Sequence, residues 1–250
     1  MFEQTKAVMF DLDGTIYYGS KIIDGANAAI EHCRNLGKRV YFLTNNSTKT
    51  RQQIFERLQG MGVSCTLEEV LTSGYVATLY AKREGLQNIY LCGSANLAAE
   101  FENLGISVAS PETAESMLIG YDPEFSYEKL TQAVRVAKRA RIILACNKEK
   151  TYLGEGAQLF PGCGGMVAPI EWCAERPCDY TIGKPNTLML DIVCEQLGLE
   201  AEQIMMVGDT YESDILMANK KGCPSILIGT RHYADTVTVE HIGDLVNLVR

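Results

Sequence analysis

The apolar run Ala7-Val8-Met9-Phe10 passes directly into Asp11-Leu12-Asp13-Gly14-Thr15, and this junction constrains the fold more than any other stretch. A run without polar alternation suits a strand covered on both faces, as in a parallel sheet flanked by helices. In open α/β sheets, ligands bind beyond the carboxyl ends of the strands. If the chain stays extended, Asp11 and Asp13 project to the same side, because side chains two apart share a face. Gly14 then allows a sharp turn away. Two acids this close repel unless a cation or a shared proton relieves them. On the pentapeptide alone, a plain strand followed by an Asp/Gly turn reads equally well.

The junction recurs. Val40-Tyr41-Phe42-Leu43 runs into Thr44-Asn45-Asn46-Ser47, and Ile204-Met205-Met206-Val207 runs into Gly208-Asp209-Thr210-Tyr211-Glu212-Ser213-Asp214. Between the first two runs, residues 25–36 carry Ala26, Ile30 and Cys33 at helical spacing, with Gly37 where a C-terminal cap belongs. Strand, helix, strand is a βαβ unit, hence parallel pairing. Residues 48–58 read as the next helix and Val70-Leu71-Thr72 as a short strand, preceded by a Thr66/Glu69 capping box. A further helix begins at Ser73. The pattern then restarts, with strands over 88–92, 117–120 and 141–146 alternating with helices capped by Ser94 and spanning 127–139. The Gly/Pro-rich stretch 154–165 is expected as an irregular loop, and a helix with Met166, Val167, Ile170 and Cys173 on its apolar face follows. After Lys184-Pro185, a helix carrying Leu190, Val193 and Leu197 stops at Gly198. Residues 225–228 are expected as the last strand and 242–249 as a short amphipathic helix. The pattern as a whole predicts an α/β protein: a doubly wound parallel-sheet core formed by residues 1–76 and 180–250, with a smaller α/β layer inserted at 77–179.

Composition narrows the function classes. Hydrophobic residues make up 46% of the 250 and charged residues 22%, ordinary for a globular protein. No apolar run reaches spanning length, so no membrane helix is expected. Residues 1–6 lack the basic-then-apolar order of a signal peptide. The nine cysteines show no metal-like spacing, and free buried thiols in a reducing cytoplasm account for them most simply. The net charge of −8 argues against a nucleic-acid partner but not against a small anion in a local pocket.

Three strand ends thus offer Asp11/Asp13, Thr44/Asn45 and Asp209/Asp214, with Lys184 at a helix start, and the fold predicts that they converge in one crevice. Clustered carboxylates with few neutralising cations suit a hard cation with oxygen ligands, foremost Mg²⁺. A cation together with Lys184 and helix-end amides suits a phosphate. His32, His232 and His241 lie away from every motif, and no Ser or Cys sits in a nucleophile elbow. The available nucleophile is a carboxylate, which can form an aspartyl-phosphate. Taken singly, Thr44-Asn45-Asn46-Ser47 also reads as a helix cap with turn residues, and Asp214 as an N-cap.

Together, Asp11-Leu12-Asp13-Gly14-Thr15, Leu43-Thr44-Asn45, Lys184-Pro185 and Gly208-Asp209…Asp214 resemble the four motifs of the haloacid dehalogenase superfamily phosphatases. Thr44-Asn45-Asn46-Ser47, Gly120-Tyr121-Asp122, Phe125-Ser126-Tyr127, Lys129-Leu130 and Pro161-Gly162-Cys163-Gly164 resemble its NagD / p-nitrophenyl phosphatase branch, whose α/β cap is inserted between the second and third motifs. The resemblance implies a Rossmann-like core and an Mg²⁺-dependent phosphatase. Its substrates would be phosphomonoesters of small metabolites, such as a sugar phosphate, a nucleotide monophosphate, phosphoglycolate or a pyridoxal phosphate-like ester. It implies that Asp11 attacks phosphorus and that Asp13 protonates the leaving oxygen and later activates water. Thr44 and Asn45 would bind the phosphoryl group, and Lys184 would neutralise Asp11. Asp209, the Asp11 carboxylate and the Asp13 backbone carbonyl would hold the metal, with Asp214 behind them. Tyr121, Asn147 and the Pro161–Gly165 loop are the cap residues expected to touch substrate. Relatives often pair through the cap, which suggests a homo-oligomer. One departure stands out: where relatives carry a pattern like Asn-x-Asp, Asn147 is followed by Lys148-Glu149-Lys150. If that loop faces the substrate, Lys148 or Lys150 would favour an anionic leaving group; a solvated charged loop is the simpler reading. A phosphotransferase or mutase using the same intermediate, and a silent metabolite-binding protein on this fold, are the alternatives.

Overall fold

The computed structural model describes residues 2–153 and 158–248. The chain divides into two compact units, one of residues 1–44, 55–71 and 184–250, the other of residues 45–54 and 72–183. The second unit therefore runs past both edges expected for the insertion, and it also takes in residues 45–54, which begin at the end of the second motif.

The first unit is built on a six-stranded sheet in the order Val237–Val239, Ser225–Ile228, Ile204–Gly208, Ala7–Asp11, Arg39–Thr44, Val70–Thr72. The four neighbouring pairs from Val237–Val239 through Arg39–Thr44 are parallel. Ala7–Asp11 and Ile204–Gly208 are buried along their whole length, as their unbroken apolar runs require. Each large side chain buried this way is worth roughly 1.5–3 kcal/mol. Phe10 pairs with Val207 and Asp11 with Leu43. Thr44 and Asp209 consequently fall one residue beyond the level of Asp11, at the carboxyl edge of adjacent strands.

Helices Ala26–Asn35 and Leu188–Leu197 belong to this unit, and the second ends at Gly198 as expected. The strand expected to be last is not. Val237–Val239 adds one more at the sheet edge; its three half-buried residues offer too little apolar pattern to be read in advance. The tail forms a tight turn over Ile242–Asp244 and a helical turn over Leu245–Leu248, while Val249 lies outside the described residues. After Asp13, a hairpin pairs Tyr17–Tyr18 with Lys21–Ile22.

The second unit has a parallel four-stranded sheet in the order Tyr180–Thr181, Ile142–Ala145, Ser116–Ile119, Ile89–Cys92. Its helices include Ala95–Asn103, capped by Ser94 Oγ accepting from Leu97 N at 3.3 Å, and Tyr127–Ala137, capped by Ser126 Oγ accepting from Lys129 N at 3.3 Å. The helix expected from Thr48 begins at Arg51 instead. Asn46 Oδ1 accepts from Thr48 N (2.9 Å) and Lys49 N (3.1 Å), a side-chain turn that competes with helix. Part of the expected irregular loop is ordered, since Leu159–Pro161 pairs antiparallel with Thr151–Leu153; residues 154–157 lie outside the described residues. Helix Gly164–Ala174 buries Met166, Val167 and Ile170, but its stripe continues to Ala174, four residues on, leaving Cys173 exposed.

Candidate active site

Asp11 ends its strand with only 6% of its surface exposed. Lys184, just after the stretch that ends the second unit, sends Nζ to both Asp11 Oδ1 and Asp214 Oδ1, the latter at 2.6 Å. Asp209 completes the group: Asp11, Asp209 and Asp214 each place a carboxylate oxygen within 4.8 Å of the others. Thr15 Oγ1 lies 3.5 Å from Asp11 Oδ2 and 3.5 Å from Asp209 Oδ1.

Local backbone explains this convergence. Beyond Gly208 the chain makes a wide π-type turn over Tyr211–Ile215, which brings Asp214 back toward the strand end and buries it fully. Asp214 lies inside that turn, whose N-cap is Thr210, so it is not the helix N-cap that the sequence also allowed; its second oxygen accepts from Thr210 N at 3.2 Å, and the carboxylate serves the turn and the lysine together. A Cβ on Gly208 would overlap the Asp214 carboxylate. Gly14 has φ +96°, and a Cβ there would overlap the Asp209 carboxylate. Both glycines are required by close approach, and Gly14 by its backbone angle as well.

Electrostatics follow from one ammonium among three clustered carboxylates. Burial first, then Asp11 and Asp214, push the Asp209 carboxyl up to about 8. Burial raises Asp214 to about 7; Lys184 opposes that rise and Asp11 adds to it. Burial works against the Lys184 charge, but Asp11 and Asp214 outweigh it and hold the ammonium above its ordinary range.

Asp13 stands apart from the cluster. Its residue keeps a broad solvent-exposed surface, so its desolvation is partial. Crowding by surrounding protein, followed by the nearby Asp11 charge, pushes its carboxyl up to about 6. Tyr17 Oη donates to Asp13 Oδ2 at 3.3 Å. Thr44 is buried at the end of its own strand.

The other expected residues belong to the second unit. Asn45 is buried there, its carbonyl accepting from Ser73 Oγ (2.7 Å) and Asn147 Nδ2 (2.8 Å). Its own Nδ2 donates to Glu149 Oε1 at 2.9 Å. Asn147 Oδ1 accepts from Glu149 N at 3.1 Å. Asn45 and Asn147 are thus brought together around Glu149, a residue not singled out in the sequence. The available signal was the Asn-x-acid spacing, met here by glutamate in place of aspartate. Lys148, considered instead, pairs with Glu171 at 2.6 Å. The Pro161–Gly165 loop supports Glu149 from behind: Gly164 N donates to Glu149 O at 2.8 Å, and Gly162 N to Lys150 O at 2.8 Å. Tyr121 and Asn147 follow the paired strand ends Ile119 and Ala145, and the Tyr121 hydroxyl lies 3.3 Å from that of Tyr152, its ring edge-on to the same side chain at 5.7 Å.

The family described as haloacid dehalogenase-like hydrolase matches residues 8–107, and one described as HAD-hydrolase-like matches residues 181–246. The chain is 30% identical over 251 residues to the sugar-phosphatase AraL of Bacillus subtilis (strain 168), covering 96% of this chain and 92% of that protein. It is 31% identical over 269 residues to the glycerol-3-phosphate phosphatase of Homo sapiens, covering 96% and 81%. Among solved structures, a 4-nitrophenylphosphatase from Thermotoga maritima is similar with a TM-score of 0.92 at 26% identity, covering 100% of this chain and 99% of that one.

Proposed function

Because the chain belongs to the haloacid dehalogenase-like hydrolases and is a phosphatase, we propose that it hydrolyses phosphomonoesters of small metabolites through an aspartyl-phosphate on Asp11, with Mg²⁺ as cofactor. The observation that carries this reading is the charge imbalance at the strand ends: three carboxylates within 4.8 Å and a single ammonium, Lys184, between two of them.

The residues fit a magnesium ion. Their donors are all oxygen, as a hard cation prefers, and burial, with the neighbouring carboxylates adding to it, pushes Asp209 and Asp214 up, a cost to their charged forms that a divalent cation offsets. Asp11, Asp209 and the Asp13 carbonyl would hold it, with Asp214 fixing Lys184 behind them. Bound there, the ion supplies positive charge to the oxygens of the transferring phosphoryl group.

The chain's own groups perform the rest. The Asp11 carboxylate forms a bond to phosphorus as the ester P–O bond breaks, and Asp13 gives its proton to the departing oxygen. Lys184 holds Asp11 in place and spreads positive charge over the phosphoryl oxygens. Thr44 and Asn45 donate to those oxygens. Water then attacks the phosphorus, Asp13 takes its proton, and the Asp11–phosphorus bond breaks to release inorganic phosphate. A carboxyl poised near neutrality, as Asp13 is, serves both directions of proton transfer.

The second unit is proposed to choose the ester, with Tyr121 and Asn147 as its candidate leaving-group contacts and Glu149 orienting the Asn45 amide. The relatives named for sugar phosphates, phosphoglycolate and glycerol 3-phosphate favour a small hydroxylated or acidic leaving group. The nine free thiols favour a reducing compartment, the cytoplasm, and no described helix is long and apolar enough to cross a membrane.

The test is phosphate release from p-nitrophenyl phosphate and a panel of metabolite esters, with Mg²⁺ and with chelator. Asp11→Asn should be inactive, and acid-quenched wild type should carry phosphate on the peptide containing Asp11. Turnover that survives in Asp11→Asn, or that ignores chelation, refutes the proposal.

A further inference from the structure

Asp13 is an exposed residue, and among the described residues Tyr17 is the side chain that hydrogen-bonds to its carboxylate. Tyr17 itself is fixed. It is wholly buried, its carbonyl accepts from Gly14 N at 2.9 Å, and its N–H donates to Leu12 O at 3.1 Å. Arg57 lies over its ring with the guanidinium carbon 4.3 Å from the centroid, and the same guanidinium donates to the carbonyl of Gly19 in the hairpin that carries Tyr17. A buried aromatic, a cation across its face and a hairpin tied to that cation make a rigid mount for the Asp13 carboxylate.

We propose that Tyr17, clamped by Arg57, is a positioning residue that aims Asp13 at the leaving-group oxygen, and that it thereby sets how well the enzyme cleaves esters whose leaving group needs a proton. The proposal rests on the assignment of Asp13 as general acid. A proton donor must come within hydrogen-bond reach of the oxygen that it protonates, and a displacement of about 1 Å can cost on the order of 10²-fold. The Tyr17 hydroxyl removes one side-chain freedom of Asp13 without touching phosphorus. Its contribution should therefore scale with the demand for a proton, not with phosphoryl transfer as such.

The experiment compares kcat/KM for p-nitrophenyl phosphate, phenyl phosphate and glycerol 3-phosphate in wild type and Tyr17→Phe. This ratio covers only the steps through phosphorylation of Asp11, in which the leaving group departs. The p-nitrophenolate group leaves with little need of a proton, whereas phenol and an alcohol need one. Tyr17→Phe keeps the ring beneath Arg57, so the fold is retained, as its melting temperature will show. We expect losses of about threefold on p-nitrophenyl phosphate and on the order of 10–100-fold on the other two esters. Arg57→Met should give the same graded pattern, more weakly, because the hydroxyl stays in place. An equal loss on all three esters, or none, overturns the proposal. Asp11→Asn separates the two levels: if it remains active the underlying mechanism fails, whereas if it is dead and Tyr17→Phe is ungraded only the role of Tyr17 fails.

Discussion

Gly14→Ala isolates the contact between the first and last motifs. Gly14 sits at φ +96°, and an added Cβ would land on the Asp209 carboxylate. Two costs follow. The backbone strain of a non-glycine residue at positive φ is about 1–3 kcal/mol, offset by about 0.4–1 kcal/mol because alanine restricts the unfolded chain. The second cost is displacement of Asp209 from the acidic cluster. Gly37→Ala separates the two, since Gly37 has φ +73° and no atom within 4 Å of its added Cβ. At about 2–4 °C per kcal/mol for a chain of this size, Gly37→Ala should lower the melting temperature by several degrees and leave turnover unchanged. Gly14→Ala should melt at least as early. It should also lose on the order of 10²-fold in turnover of p-nitrophenyl phosphate and show a weakened rise in melting temperature on adding Mg²⁺. A folded Gly14→Ala protein with the wild-type magnesium response and wild-type turnover would refute the view that Gly14 is small to make room for Asp209.

Three further outcomes are expected. Lys184→Met leaves Asp11 and Asp214 buried without their cation and should cost about 3–5 kcal/mol, read by denaturant unfolding; a loss under 1 kcal/mol contradicts the pairing. In metal-free protein, Asp209 and Asp214 sit near 8 and 7, against about 3.9 for an unfolded aspartate. Their protonated forms thus contribute stability that is complete below about pH 4 and lost as pH rises from there through 7 to 8, so the melting temperature should fall between about pH 4 and 8. Magnesium should flatten that fall, because the ionised carboxylates bind it; a melting temperature that is level without metal would contradict the clustering. Glu149→Gln retains an acceptor for Asn45 Nδ2 and should be mild, whereas Glu149→Ala should destabilise by about 1 kcal/mol and lower turnover, both measurable in one melting and assay series.

The core was legible because its signal is redundant. Ala7–Phe10 and Ile204–Val207 are continuous apolar runs, and a run of that kind allows little besides a buried parallel strand. Once the strands are parallel, their carboxyl ends must share an edge, and Asp11, Thr44 and Asp209 meet there without any further assumption. Short elements carried no such redundancy. Val237–Val239 and Tyr180–Thr181 are three and two residues long, and their identity is decided by the neighbour they pair with. Glu149 and Tyr17 escaped for a different reason. Each is bonded to a residue that the motifs do single out, Asn45 or Asp13, so it shows in a hydrogen bond and not in a motif of its own. The charge balance belongs with them. Asp11, Asp209, Asp214 and Lys184 could all be named from spacing, yet only their geometry shows the lysine bonded to Asp11 and Asp214, with Asp209 left in the same cluster and, among the described residues, no ion pair of its own. That residual negative charge argues for a divalent cation here, and no count of acidic residues along the chain could have supplied it.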